Sequence, residues 1–139
     1  MGFYASYKPV FDAVKTAVST KSSIKTVLLG EQFTVGSLPK AVINATQCSI
    51  SPIEIGKTLG VKINFEVIAV ILSLEPKDWF DEIISVMADV ADSILADRTL
   101  GGKANDCYPT LFMPGEIKFA NKIYYGGIVG FTAEVWYEP

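Results

Sequence analysis

Residues 75–97, EPKDWFDEIISVMADVADSILAD, constrain the fold more than any other segment, because their apolar side chains recur every three or four positions. Pro76 near the start and Gly101 beyond the end are typical of helix boundaries. We therefore predict an amphipathic helix with one broad buried face. The buried stripe comprises Trp79, Phe80, Ile83, Val86, Met87, Val90, Ile94 and Leu95.

The opposite face of this helix is acidic. Its side chains are Asp78, Asp81, Glu82, Ser85, Asp89 and Asp92. Asp78 and Glu82 lie four residues apart with like charge, which costs about 0.2–0.5 kcal/mol, and the helix dipole offsets part of that cost in the first turn. Two interpretations stay open for the acids Asp78, Asp81, Glu82, Asp89 and Asp92: a solvated helix face, or an acidic surface with a function.

Helix and strand signals along the rest of the chain indicate a mixed fold. A first helix is predicted over residues 7–20, with Ser6 as its N-cap and Pro9 in its first turn. Strands are predicted at 25–29, from Ala41 onwards, at 61–72, in two short segments around the turn Pro114-Gly115, and at 128–137. This order lacks regular βαβ alternation. We predict one α+β domain over residues 1–139, a mainly antiparallel sheet packed by two amphipathic helices, with an extra β-hairpin or loop.

The strand at 61–72 changes character along its length. One face is predicted to be buried throughout, with side chains Val61, Ile63, Phe65, Val67, Ala69 and Ile71. The other face begins polar and then turns apolar at Ile68, Val70 and Leu72. Burying each of these three is worth about 1.5–3 kcal/mol, so we predict that a helix or a neighbouring subunit covers them.

Hydrophobic residues make up 50% of the chain, which is high for a soluble monomer and favours surface covered by partner subunits. The longest apolar run, residues 67–74, is far shorter than the roughly 20 residues of a membrane helix. No cationic start leads into an apolar leader. We expect a soluble, unprocessed protein that forms oligomers and does not enter a membrane.

Charge is unevenly distributed. Residues 1–62 hold seven lysines and three acids, a balance of +4, whereas residues 63–139 hold five basic residues and twelve acids, a balance of −7. This asymmetry favours head-to-tail stacking of subunits or rings. The chain has no cluster of lysine and arginine, so tight nucleic-acid binding is not expected.

The sequence offers little support for catalysis. It has no histidine, which excludes nucleophiles of the Ser/His and Cys/His types. Cys48 and Cys107 also lack a CxxC partner, so we expect reduced, mostly buried thiols instead of zinc ligands. An S-x-x-K pattern at 22–25 lacks its companion motifs, and the GGK at 101–103 follows a helix, whereas a phosphate loop opens one. No calcium-loop spacing is present. We expect no catalytic residue, cofactor or metal.

The segment DRTLGGKANDC, residues 97–107, contains the single arginine of the chain. The planar fork of Arg98 suits a carboxylate on a neighbouring subunit, and a cation at a helix C-terminus also favours the helix dipole. Gly101 or Gly102 is predicted to supply the positive φ of a helix stop, while Thr99 and Leu100 attach the chain to the core. The candidate subunit interface comprises Arg98, Leu100, Ile68, Val70 and Leu72.

Three segments together resemble the tail terminator, or tail completion, proteins of tailed bacteriophages. ADSILADRTLGGKANDCYP is similar to the family's second helix, which runs into a D-x-T-L-G-G type turn before a strand. YYGGIVGFTAEVWYEP is similar to its terminal strand, and VLLGEQFTVGSLPKAVI to its strand-loop-strand after the first helix.

The resemblance implies a structural virion protein assembled in the host cytoplasm. Its subunits would form a hexameric ring at the head-proximal end of the tail, stop tail-tube polymerisation and provide the surface that joins the head. The implied partners are further copies of the chain, the tail-tube protein and a head–tail connector protein. DNA would pass as cargo through a channel, for which an acidic lining by Asp81, Asp89 and Asp92 is suitable.

Two alternatives stay open. One is another head–tail connector or neck protein with a similar layout. The other, of a different class, is a small α+β enzyme or ligand-binding domain.

Overall fold

A computed structural model describes residues 2–30, 37–53, 56–71, 78–119 and 122–139, and describes side chains in these ranges except at 116–119 and 122–124. Within these ranges, two helices and five strands follow one another. In order they are α1 (Phe3–Ser19), β1 (Thr26–Leu29), β2 (Lys40–Pro52), β3 (Leu59–Ile71), α2 (Trp79–Leu95), β4 (Asp106–Phe119) and β5 (Lys122–Tyr137).

The strands form one sheet in the order β1-β2-β3-β5-β4. Only the pair β1–β2 is parallel, and the other three pairs are antiparallel. Both helices pack on one face of this sheet, α1 nearer β1 and α2 nearer β4 and β5. The predicted α+β fold, a mainly antiparallel sheet covered by two helices, is confirmed.

The core lies between the sheet and the helices. All six side chains predicted to share one face of β3 are buried there, at most 3% exposed. The ring of Phe65 lies between those of Phe11 from α1 and Phe131 from β5, at centroid distances of 5.6 and 5.2 Å. The apolar side chains that recur every second residue along β3 therefore pack against those that recur every three or four residues along the helices, as the sequence indicates.

Helix α1 begins four residues earlier than predicted, at Phe3, with Gly2 as its N-cap. Pro9 therefore lies inside the helix and not in its first turn. The reason is packing of the residues that precede Pro9. The Phe3 ring contacts the rings of Tyr7 and Tyr137, at centroid distances of 5.7 and 5.3 Å. Burial of these rings favours a helical turn that the proline alone disfavours.

The predicted turn at Pro114-Gly115 is wrong. Strand β4 runs through both residues to Phe119, and β5 begins at Lys122. β4 is an edge strand, where a residue without a backbone N–H is tolerated, and Gly115 pairs with Gly126 in regular register. Pro114 therefore marks an edge strand and not a chain reversal.

Helix α2 has a narrower buried stripe than predicted. Trp79 is half-buried and stacks on Tyr125 at 4.7 Å, and six residues from Ile83 to Ile94 are buried. Phe80 and Leu95 are exposed, so their assignment to the buried stripe is wrong. Both lie at the side of the helix, where the sheet below does not reach them.

Candidate assembly surfaces

The turn after α2 is built around one carboxylate. Asp97 Oδ1 accepts hydrogen bonds from the Thr99 hydroxyl at 2.6 Å and from the Thr99 N–H at 3.1 Å, and Oδ2 accepts one from the Gly101 N–H at 2.9 Å. These donors, the Thr99 hydroxyl first, lower the pKa of Asp97. The carboxylate of Asp97, the first residue of the turn, thus fixes the conformation of the turn through its hydrogen bonds to Thr99 and Gly101.

The positive φ angles in this turn shape the chain after the helix has ended. Helix α2 ends at Leu95, and its cap Ala96 is right-handed with φ −64°. Gly101 and Gly102 have φ of 67° and 88°, as predicted, but they lie too far along to stop the helix. Leu100 shares this left-handed geometry with φ 52° and is buried in the core. Its burial balances the strain of the backbone.

Arg98 pairs within its own chain. Its Nε and Nη2 each donate to a carboxylate oxygen of Asp106 at 2.7 Å, and its guanidinium lies 5.7 Å from the centroid of the Tyr108 ring. This bidentate pair raises the pKa of Arg98 and lowers that of Asp106. The pair fixes the turn to the start of β4, and a contact of the half-exposed Arg98 with a neighbouring subunit stays a prediction.

The other four predicted interface residues lie in different environments. Leu100 and Val70 are buried within the single chain, at 5% and 3% exposure, so neither has surface with which to contact a neighbour directly. Ile68 is half-buried on the sheet face that carries no helix, and Leu72 lies outside the described residues. Of the four that the structure describes, Ile68 and Arg98 have surface available for a subunit contact.

The acidic face of α2 points away from the sheet. Asp78, Asp81 and Asp92 are exposed, whereas Glu82 is half-buried. Asp89 is also half-buried, because it accepts a hydrogen bond from the Ser23 hydroxyl at 2.6 Å. Since Ser23 follows α1, this contact shows which side of α2 faces α1. Asp89 therefore joins α2 to the turn after α1, and the exposed acids Asp78, Asp81 and Asp92 form a solvated ridge.

Nine large hydrophobic side chains in the described part of the chain are exposed, and they fall into two patches. The flank patch lies on α2 and the edge strand β4 and comprises Phe80, Leu95, Leu111, Phe112 and Met113. The end patch lies where the β2–β3 hairpin, the start of α1 and the end of β5 meet and comprises Tyr4, Ile50, Ile53 and Trp136. Apolar clusters of this kind mark interaction sites.

A bulge in β4 creates part of the flank patch. The register with β5 shifts between Pro109 and Leu111, so that Leu111 and Met113 turn to the bare face of the sheet while Phe112 turns toward α2. The sequence alone does not reveal the bulge, and simple alternation through residues 107–113 gives the wrong faces. Pro109 in an edge strand is the one signal that points to such an irregularity.

Grooves flank α1 on both sides. One of about 530 Å³ lies between α1 and the turn after α2, and its charged side chains are Asp12, Asp97 and Lys103. Asp97 is already engaged by its turn. On the other side, a small depression of about 230 Å³ lies between α1 and the β1–β2 edge and is lined mainly by apolar side chains such as Tyr7, Phe11 and Ile43. It continues into a wider, more polar groove of about 700 Å³. We name the small depression the α1–β2 notch.

The described residues hold no group of three side chains suited to bind a metal ion. Burial raises the pKa of the Cys107 thiol to about 12, and burial also raises that of Cys48, so neither thiol is activated as a nucleophile. Among the described helices, none is long and apolar enough to cross a membrane.

No protein-family model matches the sequence. No curated protein matches it either. Among solved structures, the chain is similar to the sheath/tube terminator of the extracellular contractile injection system PVC, determined by cryo-EM in the extended state, with a TM-score of 0.54 and 16% sequence identity. The likeness covers 96% of this chain and 57% of that one, so the chain spans little more than half the neighbour's length. The two proteins share a fold.

Proposed function

We propose that this protein is a structural subunit that ends a phage-type tail tube as a ring, the tail-terminator role. The observation that carries the proposal is the fold likeness to a sheath/tube terminator along nearly the whole chain. The resemblance of the segments around 91–109 and 124–139 to phage tail terminators points the same way. In this proposal residues 1–139 form one tail-terminator-like domain.

The two exposed apolar patches support an assembly role. A subunit at the end of a tube has neighbours in its own ring and further neighbours above and below it. Two separated patches on one small chain provide for contacts in more than one direction.

In finer terms, we propose a hexamer at the head-proximal end of a phage tail. One side of the ring would meet the tail-tube protein and the other a head–tail connector protein, and DNA would pass through the channel without specific binding. The exposed acids Asp81 and Asp92 on the ridge of α2 suit a channel lining or an outer solvated face. No catalytic step belongs to this role.

The proposal is tested by the mass of the assembly. The purified chain is analysed by native mass spectrometry, alone and after incubation with tail tubes built from the cognate tube protein. We expect a closed multimer of about six copies in at least the second condition. A chain that stays monomeric in both conditions, with no copies on the tubes, contradicts the proposal.

A further inference from the structure

We propose that copies of this chain associate head-to-tail, with the flank patch of one copy seated in the α1–β2 notch of the next. This inference rests on the proposed ring and names its subunit interface. The two surfaces belong to opposite edges of the sheet, since β4 and β1 are its outermost strands. Five strands about 4.8 Å apart place them roughly 19 Å from each other.

The side of α2 that faces outward beyond β4 is fixed by a contact on its other side. Asp89 faces α1 through its hydrogen bond with Ser23. Phe80 lies nine residues earlier, and at about 100° per residue it points to the opposite side of the helix, away from α1. Leu95 lies within about a third of a turn of Phe80 on the same side. Phe80, Leu95 and Phe112 therefore lie on the helix side of this flank, and Leu111 and Met113 extend the patch around the edge of β4 onto the bare face of the sheet.

The notch on the opposite edge matches this patch in chemistry. Tyr7, Phe11, Leu29, Ile43 and Ala45 line a depression of about 230 Å³, large enough to receive an aromatic ring such as that of Phe112. The notch continues into a wider groove through the shared residues Lys8 and Leu29. One edge of the chain thus carries an apolar projection, and the opposite edge carries an apolar depression that receives the projection of a neighbouring copy.

The rims of the two surfaces carry opposite charge. Lys8, Asp12 and Lys15 border the notch and its continuation. Lys8 pairs with Asp12 at 2.6 Å, so Lys15 supplies the net positive charge of this rim. Asp81 and Asp92 are exposed on α2 beside Phe80 and Leu95. An apolar centre with a charged rim is the usual composition of a protein interface, and complementary rims set orientation and partner choice.

The placement of charge across the whole sheet favours the same arrangement. The basic segment 1–62 supplies α1, β1 and β2, and the acidic segment 63–139 supplies α2, β4 and β5, so the opposite signs of the sequence halves become opposite flanks. A copy approaching with its acidic flank toward the basic flank of another is attracted, whereas two like flanks repel. Contacts between different surfaces are heterologous and close into rings when the rotation permits.

The test blocks each surface separately. Phe112→Asp places a charge at the centre of the flank patch, and Ala45→Trp fills the exposed mouth of the notch. We expect each variant alone to stay monomeric in sedimentation velocity. If the unaltered chain assembles only on tubes, each variant is expected to be missing from the tube ends. A mixture of the two variants is expected to form dimers and nothing larger, because each keeps one functional surface.

A charge exchange tests the rims. Lys15→Glu and Asp92→Lys are each expected to weaken association about tenfold, and the double variant to restore it. Trp136→Asp in the end patch is the matched control, a similar change at an exposed aromatic residue that is expected to leave self-association unchanged. Circular dichroism confirms that each variant is folded.

Two results separate failure of this inference from failure of the proposed function. If the unaltered chain forms multimers and neither Phe112→Asp nor Ala45→Trp changes them, the interface is elsewhere and the ring stands. If Phe112→Asp abolishes association while Ala45→Trp has no effect, the flank patch binds another flank patch and the head-to-tail arrangement is wrong. If the unaltered chain forms no multimer alone or on tubes, the proposed function itself fails.

Discussion

At the scale of single residues, Leu100 combines strain with burial. A bulky side chain at positive φ costs about 1–2 kcal/mol, and its position in the core repays that cost. Sequence reasoning predicts positive φ at the following glycines, because glycine adopts it without penalty. It does not predict the same geometry at a leucine, since only the cavity that receives the side chain makes it favourable.

Leu100 substitutions have an expected order of stability. Leu100→Ala keeps the strained φ and loses the buried side chain, so the free energy of unfolding falls by about 2–5 kcal/mol. Leu100→Gly loses the same contacts but relieves about 1–2 kcal/mol of strain, so its net loss is expected to be about 1–2 kcal/mol smaller than that of Leu100→Ala. Urea denaturation at neutral pH measures both values, and a glycine variant less stable than the alanine variant is incompatible with strain at this position.

The Arg98–Asp106 pair predicts a pH dependence. Its hydrogen bonds from Arg98 lower the pKa of Asp106 below the ordinary 3.8, so the stabilisation is present above that value and is lost as the pH falls through the lower pKa of the folded state. We expect Asp106→Asn to lower Tm at pH 6, and the difference from the unaltered protein to shrink below about pH 4. Thermal unfolding followed by circular dichroism measures it.

Arg98→Lys is the control for geometry, because it keeps the charge and loses the planar fork. Asp106→Asn should have a smaller effect when combined with Arg98→Lys than in the unaltered chain, since the two residues act as one unit. Equal effects in both backgrounds show that the pair does not contribute. Sequence reasoning identifies Arg98 as unusual but not its partner, because the approach of Asp106 depends on how the turn folds back.

At the scale of elements, close packing between α2 and β5 rests on a glycine. A Cβ at Gly127 meets the Met87 sulfur and lies 2.7 Å from the Met113 carbonyl oxygen. We expect Gly127→Ala to lower the free energy of unfolding by about 1–3 kcal/mol, because the backbone oxygen cannot move aside as a side chain can. Chemical denaturation with folded-state circular dichroism checks it.

Gly115 provides the matched control for Gly127. It lies in the neighbouring strand β4, and a Cβ there meets nothing within 4 Å. Gly115→Ala is expected to be neutral or to stabilise by up to about 1 kcal/mol, since alanine has less backbone entropy to lose. Equal losses for the two variants contradict tight packing at Gly127.

The elements differ in how far periodicity predicts them. β3 has a partner strand on each side and pairs with β5 without a register shift. The alternation of apolar and polar residues along β3 therefore predicts its buried face correctly. β4 has a bulge and an open edge, and its alternation fails after Pro109. In α1 the ring contacts of Phe3 extend the helix past the boundary that local signals give, and in α2 the limited width of the sheet leaves Phe80 and Leu95 outside the core.

At the scale of the whole molecule, the sheet order converts a sequence pattern into a spatial one. The charge imbalance between the two halves is visible in the sequence, but its meaning depends on β3 lying at the centre of the sheet with the basic half on one side and the acidic half on the other. The parallel β1–β2 pair and the two apolar patches are likewise properties of the assembled sheet. Sequence patterns predict the layers, and the surfaces emerge only from their packing.

The salt dependence of assembly follows from these flanks. Increasing ionic strength from about 0.05 to 0.5 M shortens the screening length, so association of the unaltered chain is expected to slow and weaken. The Lys15→Glu variant, whose rim no longer attracts its neighbour, should show little of this dependence. Sedimentation velocity at a series of salt concentrations measures both, and association that strengthens equally in both proteins contradicts charge-guided docking.

Electron microscopy of tube ends shows whether the chain caps tail tubes, as we propose. Tubes of the cognate tube protein are grown with and without an excess of this chain. We predict a ring at one end of each tube and no further elongation when more tube protein is added. Bare ends, with elongation at the same rate as in the absence of the chain, contradict the account.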